Sequence, residues 1–249
     1  MNISPETKKR VQIVLLIAMV AAAIRLAIIL YERHVQNAPA PPAAEKPLNP
    51  DYYVVPRKLH AYDLESARKG LVGHPVWVRD GYRVSYYPFN TTTHHSDLQH
   101  EAGLLGPIER LEITEVVRDA SPASGQQQLM AVFSKEGKSY AFPVGAAKGQ
   151  DYSLYIDDLV YLQDPHQLYQ HWPQETWQAI DRHQARLGMS ELQMDFALGV
   201  GYLHGSGLGS TRMLTFPNGG TPLVVTFEND RAVDIQPGAK QELPRNLLE

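Results

Sequence analysis

The chain has 249 residues, 43% of them hydrophobic and 20% charged, with a formal net charge of −4 and no cysteine. That balance supports one large or two modest domains with a real core and excludes a polytopic membrane protein. Lys and Arg are scattered through a net acidic chain, which excludes a nucleic-acid footprint; without cysteine there are no disulfides, thiolate nucleophiles, cysteine metal sites or amino-terminal lipid.

Residues 1–10 end in Lys8, Lys9 and Arg10, and from Val11 to Tyr31 nearly every residue is apolar, the exceptions being Gln12 and Arg25. At 1.5 Å per residue this stretch is about 30 Å long, the thickness of a hydrocarbon core, so residues 11–32 are expected to form a transmembrane helix. Arg25 costs roughly 2.5–3.5 kcal/mol at mid-membrane, but it stands about two turns from the end and can snorkel outward. The basic flank keeps the amino terminus in the cytoplasm, which predicts a single-pass inner-membrane protein with most of the chain in the periplasm. A cleaved signal peptide is the rival, because Ala38, Pro39 and Ala40 follow. A signal's apolar core, however, is usually about 7–15 residues, shorter than this one. Residues 33–57 contain NAPAPPAAEKPLNP, a Pro- and Ala-rich stretch without apolar periodicity that reads as a stiff spacer.

Residues 58–164 carry short strand-like runs. Val76 and Val78 share one parity; Asp80 and Gly81 make a turn; Tyr82, Val84 and Tyr86 then share a parity. Leu111, Ile113 and Glu115 alternate. Leu129, Ala131 and Phe133 lead into a turn at Lys135, Glu136 and Gly137, with Tyr140 and Phe142 beyond it, which predicts a hairpin. Tyr155, Ile156, Leu159 and Val160 end the series. Five or six short strands in about a hundred residues suggest a small antiparallel barrel or a strongly bent sheet, and the expected form is an SH3-like barrel.

Residues 165–238 change period. Pro173 suits a first helical residue, Trp177, Ile180 and Leu187 fall on one face, and Gly188 is expected to end that helix. Ser190 and Gln193 have capping-box spacing, Met189 and Met194 hold the positions of a hydrophobic staple, and Gly199 stops the second helix. The runs TRMLTF, PLVVTF and AVDI follow as an antiparallel meander, and residues 239–249 form a tail. The fold class expected is therefore α+β: a membrane helix, an SH3-like barrel, then an α-α-β-β-β unit. In its last 80 residues or so the chain resembles the BamE/SmpA-like outer-membrane-assembly small lipoprotein superfamily. The resemblance is carried by Gly188, Met189, Ser190, Gln193, Met194, Leu198 and Gly199, and by the strand ending at Phe227 before a polar turn and Val233. It implies an extracytoplasmic accessory or scaffolding module without catalysis.

Candidate chemistry is sparse. His94, His95, Asp97, His100 and Glu101 hold the residue types of a zinc site, but they read mainly as a solvated loop. Gly199, Gly201, Gly205, Gly207 and Gly209 lack the strand-before, helix-after setting of a phosphate loop, and His204 stands where a third glycine belongs. Ser190 has a sufficient task as a helix cap beside the distant His183, and Asp157 and Asp158 are neighbours on an expected strand or turn, where their carboxylates point apart. Tyr82, Tyr86, Tyr87 and Phe89 lie close in sequence and are the binding-surface candidates. No cofactor is expected. The function expected is a non-catalytic, membrane-anchored periplasmic scaffold in envelope assembly that binds another envelope protein. Binding of peptidoglycan or another envelope glycan, and an envelope hydrolase with an unrecognised site, are the alternatives.

Overall fold

The computed structural model describes residues 5–36, 48–120, 125–148, 151–203 and 211–239. The chain divides into two units, residues 1–49 and a compact body of residues 50–249. The first unit is dominated by helix α1 (Pro5–Gln36), within which Leu15–Arg33 is long and apolar enough to cross a membrane and is nowhere buried by protein. The Pro/Ala spacer from 37 to 47, the glycine-rich segment from 204 to 210 and the tail from 240 lie outside the described residues.

The body opens with a 3-10 turn (Pro50–Tyr53) and an irregular strap that reaches helix α2 (Leu64–Leu71). Asp63 caps α2, accepting the Ser66 N–H at 2.7 Å while the Ser66 hydroxyl oxygen accepts the Asp63 N–H at 3.1 Å. Nine strands then build one antiparallel sheet: β1 (Pro75–Val78), β2 (Ser85–Asn90), β3 (His95–Ser96), β4 (Gly103–Leu104), β5 (Arg110–Ala120), β6 (Gln127–Lys135), β7 (Lys138–Lys148), β8 (Asp151–Leu154) and β9 (Val160–Tyr161). The order is β3-β2-β7-β6-β5-β1-β9, with β4 added to β2 and β8 to β7. The β6–β7 hairpin turns at Glu136 and Gly137, both at positive φ, which matches the twist of two paired strands. Leu129, Ala131, Phe133 and Phe142 face the main core of this sheet, while Met130, Val132 and Ala141 face a smaller cluster on its other side.

The SH3-like barrel expected over residues 58–164 does not form, because the sheet is open. Closure needs its two ends to pair, yet β3 pairs only with β2 and β9 only with β1. The physical reason is local. Strand β9 lasts two residues before Asp164 accepts the His166 N–H at 2.9 Å and Pro165 starts helix α4 (Pro165–Leu168), so no strand remains to carry the ladder round. Bulges at Ile113/Glu115 and Leu129/Met130 bend the long strands without joining the edges. The run expected as a last strand is also broken, since helix α3 (Ile156–Leu159) separates β8 from β9. Strand β1 pairs with β5 and β9 rather than with β2, so the turn after it joins two separate parts of the sheet.

The second core lies under helices α5 (Gln174–Asp181) and α6 (Glu191–Leu198). Pro173 is the cap of α5 rather than its first helical residue. The helix ends at Asp181 instead of running to Gly188, leaving Leu187 65% exposed while Trp177 and Ile180 are buried. Helix α6 starts where its sequence directs. Ser190 Oγ accepts the Gln193 N–H at 3.3 Å, Gln193 Oε1 accepts the Ser190 N–H at 2.9 Å, and Met189 and Met194 are both buried. The sheet beneath has four strands, not the three expected, because β10 (Tyr202–Leu203) precedes β11 (Thr211–Phe216), β12 (Leu223–Glu228) and β13 (Arg231–Pro237). Leu214, Phe216, Val225, Phe227 and Ala232 face the helices from this sheet, so each amphipathic element buries its stripe against another layer.

Candidate functional site

The histidine-rich segment does not gather into one site. His94 Nδ1 lies 3.2 Å from Glu115 Oε2, His95 Nδ1 3.2 Å from Asp119 Oδ1 and His100 Nδ1 2.9 Å from Asp97 Oδ2, so each ring has its own carboxylate. Among the described residues no three His, Asp or Glu side chains are placed to share a metal ion, and Glu101 joins none of these pairs. The buried member, Asp119, has a structural task. Burial opposes its charge, but the N–H groups of Ser96 at 2.5 Å and Ala120 at 2.9 Å, together with His95, outweigh that cost and hold its carboxyl below the ordinary range. It thereby pins β3 to β5.

The four aromatic candidates are dispersed. Tyr86 packs edge-on against Phe133 and Tyr140 at the main core, with Lys135 Nζ 5.3 Å from its ring centroid. Tyr87 and Phe89 belong to the small cluster on the opposite face, as strand alternation requires for Tyr87 beside Tyr86. Tyr82, at φ 61°, leaves the strand and packs beside Gly199 and Gly219. Asp157 stands on α3, where its Oδ1 accepts the Leu59 N–H at 2.7 Å, and His183 Nδ1 lies 3.0 Å from the Ala197 carbonyl oxygen.

A polar centre that the sequence reading missed lies where the turn after β1 meets the end of α6. Val200 N–H reaches the Gly81 carbonyl at 3.3 Å, and Gly199, at φ 83°, has no room for a Cβ because Tyr82 Cδ2 and the Gly81 oxygen would lie 2.5 and 2.8 Å away. Asp195 sits just inside, accepting the Gly201 N–H at 2.9 Å, and Arg83 Nη2 donates to the Gly201 carbonyl at 3.4 Å. Burial pushes the Asp195 carboxyl up to about 7; Glu191 and Asp80 add to the rise, while the Gly201 N–H and Arg83 oppose it. Asp80 is also raised, mainly by burial, with Arg79 and Arg83 pulling the other way. The available signal is Asp195 itself, a carboxylate set between Met194 and Phe196 in the core-facing part of ELQMDFAL.

This raised group has a consequence for stability. Its folded-state value exceeds the ordinary value of about 3.9, so between the two the native state holds a proton that the unfolded chain has released. Stability therefore falls as pH rises from about 4 to about 7. Asp80 and Glu191 act with the same sign, and Asp119 with the opposite one. The variant Asp195→Asn keeps an acceptor for Gly201 and loses the charge. Urea unfolding at several pH values is expected to give a flatter profile over that range, with the variant at least as stable as the parent at pH 8. Parallel profiles would mean that Asp195 ionises like a solvated carboxylate.

An open groove of about 570 Å³ lies between Ala61, Tyr62 and Asp63 on one side and strand β8 on the other. Strand β8 is laddered to β7 along one edge, and the Arg118 guanidinium bonds the Tyr152 hydroxyl beside it.

No family model, curated protein or solved structure matches this chain. Nothing therefore supports membership in the BamE/SmpA-like superfamily, and that assignment is corrected. The residues that suggested it, Gly188 to Gly199, form a capping box, a buried Met pair and a positive-φ stop. These are the general start and stop devices of a helix entering a layered core, and they carry no family identity.

Proposed function

We propose that this chain is a membrane-tethered scaffold or accessory factor of the bacterial envelope that works by binding another envelope protein. Residues 11–32 anchor it in the inner membrane, Lys8, Lys9 and Arg10 stay on the cytoplasmic side, and the body from Pro50 onward is displayed in the periplasm. The observation that carries this reading is the pairing of α1, an exposed apolar helix of spanning length, with a separate compact body holding its own cores. The groove beside β8 supplies a place for a partner, since a strand paired along one edge is a template for an added segment.

The test is photo-crosslinking of the full-length protein in intact membranes, with the reactive group at exposed Ser153 on β8 and, as control, at exposed Asn229 in the β12–β13 turn. A reproducible envelope protein captured from Ser153 and not from Asn229 is expected. Equal, non-specific capture from both positions would oppose the reading. The Tyr86/Tyr87 pair does not favour glycan binding, because the two rings face opposite sides of the sheet.

A further inference from the structure

The end of the 3-10 turn and the strap that joins it to α2 read YYVVPRKLHAY from Tyr52 to Tyr62, eleven residues without a carboxylate in a chain of net charge −4. It is fastened at many points. Asp51 Oδ1 accepts the Trp172 indole N–H at 2.7 Å and lies 2.6 Å from His171 Nε2. Val54 packs on the second core, and Leu59 and Ala61 pack on the first. The Arg57 N–H donates to Gln163 Oε1 at 2.9 Å. A segment held at this many points presents its remaining side chains in fixed directions. Tyr52, Tyr53 and Val55 stand 77%, 70% and 83% exposed, and Arg57 and Lys58 follow them on the surface. Elsewhere in the body the large exposed apolar side chains among the described residues, apart from Tyr62 at the groove, are separated in sequence: Val72, Leu187, Leu203, Met213 and Val233.

An exposed run with two tyrosines, a valine and two cations, and no acid between Tyr52 and Tyr62, has the composition of a membrane-interface contact. Tyrosine rings settle at headgroup depth, and Arg and Lys draw anionic headgroups. The chain supplies the proximity. Tyr52 stands sixteen residues beyond the end of α1 at Gln36, so the chain between them spans about 55 Å at most. A surface leashed at that distance meets lipid at a high effective concentration.

We propose that Tyr52, Tyr53, Val55, Arg57 and Lys58 form a second membrane contact, a surface that docks the body on the headgroup layer of the bilayer that holds α1. It rests on the anchor reading above, and its test keeps the two apart. Because the chain lacks cysteine, single-cysteine variants can be labelled without background. Full-length protein, one copy per lipid nanodisc, is labelled with a polarity-sensitive fluorophore at Ala22→Cys in α1, at Tyr53→Cys, at Val55→Cys and, as control, at Glu136→Cys in the β6–β7 turn. Quenching by bromine-bearing lipid is then read.

The expected result is strong quenching at position 22, quenching at 53 and 55 at least about twofold above that at 136, and a further rise when phosphatidylglycerol replaces part of the phosphatidylcholine. The Arg57→Gln/Lys58→Gln variant is expected to lose that rise. A label at 22 that is quenched while those at 53 and 55 match 136 overturns the docking surface and leaves the anchor standing. No quenching at 22 overturns the anchor and this inference with it. Shielding of 53 and 55 that occurs only with two copies per disc assigns the surface to a second copy of the chain and overturns lipid docking.

Discussion

The double variant Val20→Asp/Ile24→Asp is expected to leave the membrane fraction under carbonate washing, where the parent chain stays. Both residues lie in the exposed apolar stretch Leu15–Arg33. Each acidic side chain at the centre of a spanning helix costs roughly 2.5–3.5 kcal/mol, so the pair costs about 5–7 kcal/mol. Four residues apart, the two carboxylates also share one helix face and repel each other. Arg25 gives no relief, since neighbours along a helix do not face each other and its long side chain is drawn towards the interface. A conservative control, Val20→Leu/Ile24→Leu, should behave as the parent. If the acidic variant stays embedded, α1 is not what holds the chain to the membrane. If the parent is recovered from membranes as a shortened species lacking the helix, the segment is an export signal.

The second large effect is expected at Gly199, where the end of α6 meets the turn after β1. A methyl group there would lie 2.5 Å from Tyr82 Cδ2 and 2.8 Å from the Gly81 carbonyl oxygen, and φ is 83°. The ring can shift, but the carbonyl belongs to a backbone whose other side is closed, since a Cβ on Gly81 would meet Pro107 at 2.4 Å. Gly199→Ala therefore combines left-handed strain with steric overlap and should destabilise by about 2–4 kcal/mol. In a body of about this size that lowers Tm by about 10 °C. Gly137→Ala is the internal control. Its φ is 75° and nothing lies within 4 Å of a Cβ there, so it bears the backbone strain alone. A calorimetric comparison in which the two alanine variants melt together would remove the contact from the account. A Tyr82→Ala change that partly rescues Gly199→Ala, measured as a double-mutant cycle, would place the overlap on the ring.

These expectations separate what was legible from what was not. Helix α1 follows from a stretch of 21 residues, Val11 to Tyr31, interrupted only by Gln12 and Arg25, a property of the segment alone. The capping of α6 by Ser190 and Gln193 and the Glu136–Gly137 hairpin turn follow from contacts within four residues of sequence, so the tertiary context had nothing to override. The burial of Leu129, Ala131 and Phe133 on one face follows from strand periodicity. Helix α5 ends at Asp181, short of the glycine at 188, because a glycine marks a stop without excluding an earlier one.

The tertiary structure alone decided which strands became neighbours. Periodicity sets the direction of a side chain on its own strand and carries nothing about the partner strand, so an open sheet and a closed barrel read alike until the last edge is found unpaired. The same reason scattered Tyr82, Tyr86, Tyr87 and Phe89, close in sequence yet divided between a turn and two faces of a sheet. It also brought Asp195 beside Arg83 and Asp80 across more than a hundred residues. By itself the sequence determined the long apolar helix α1, the capping of α6 and the inward faces of the strands, because those depend on interactions along a few turns of chain. The fold decided the polar centre, the exposed strap and the open edges, because burial and charge depend on what the rest of the molecule places alongside.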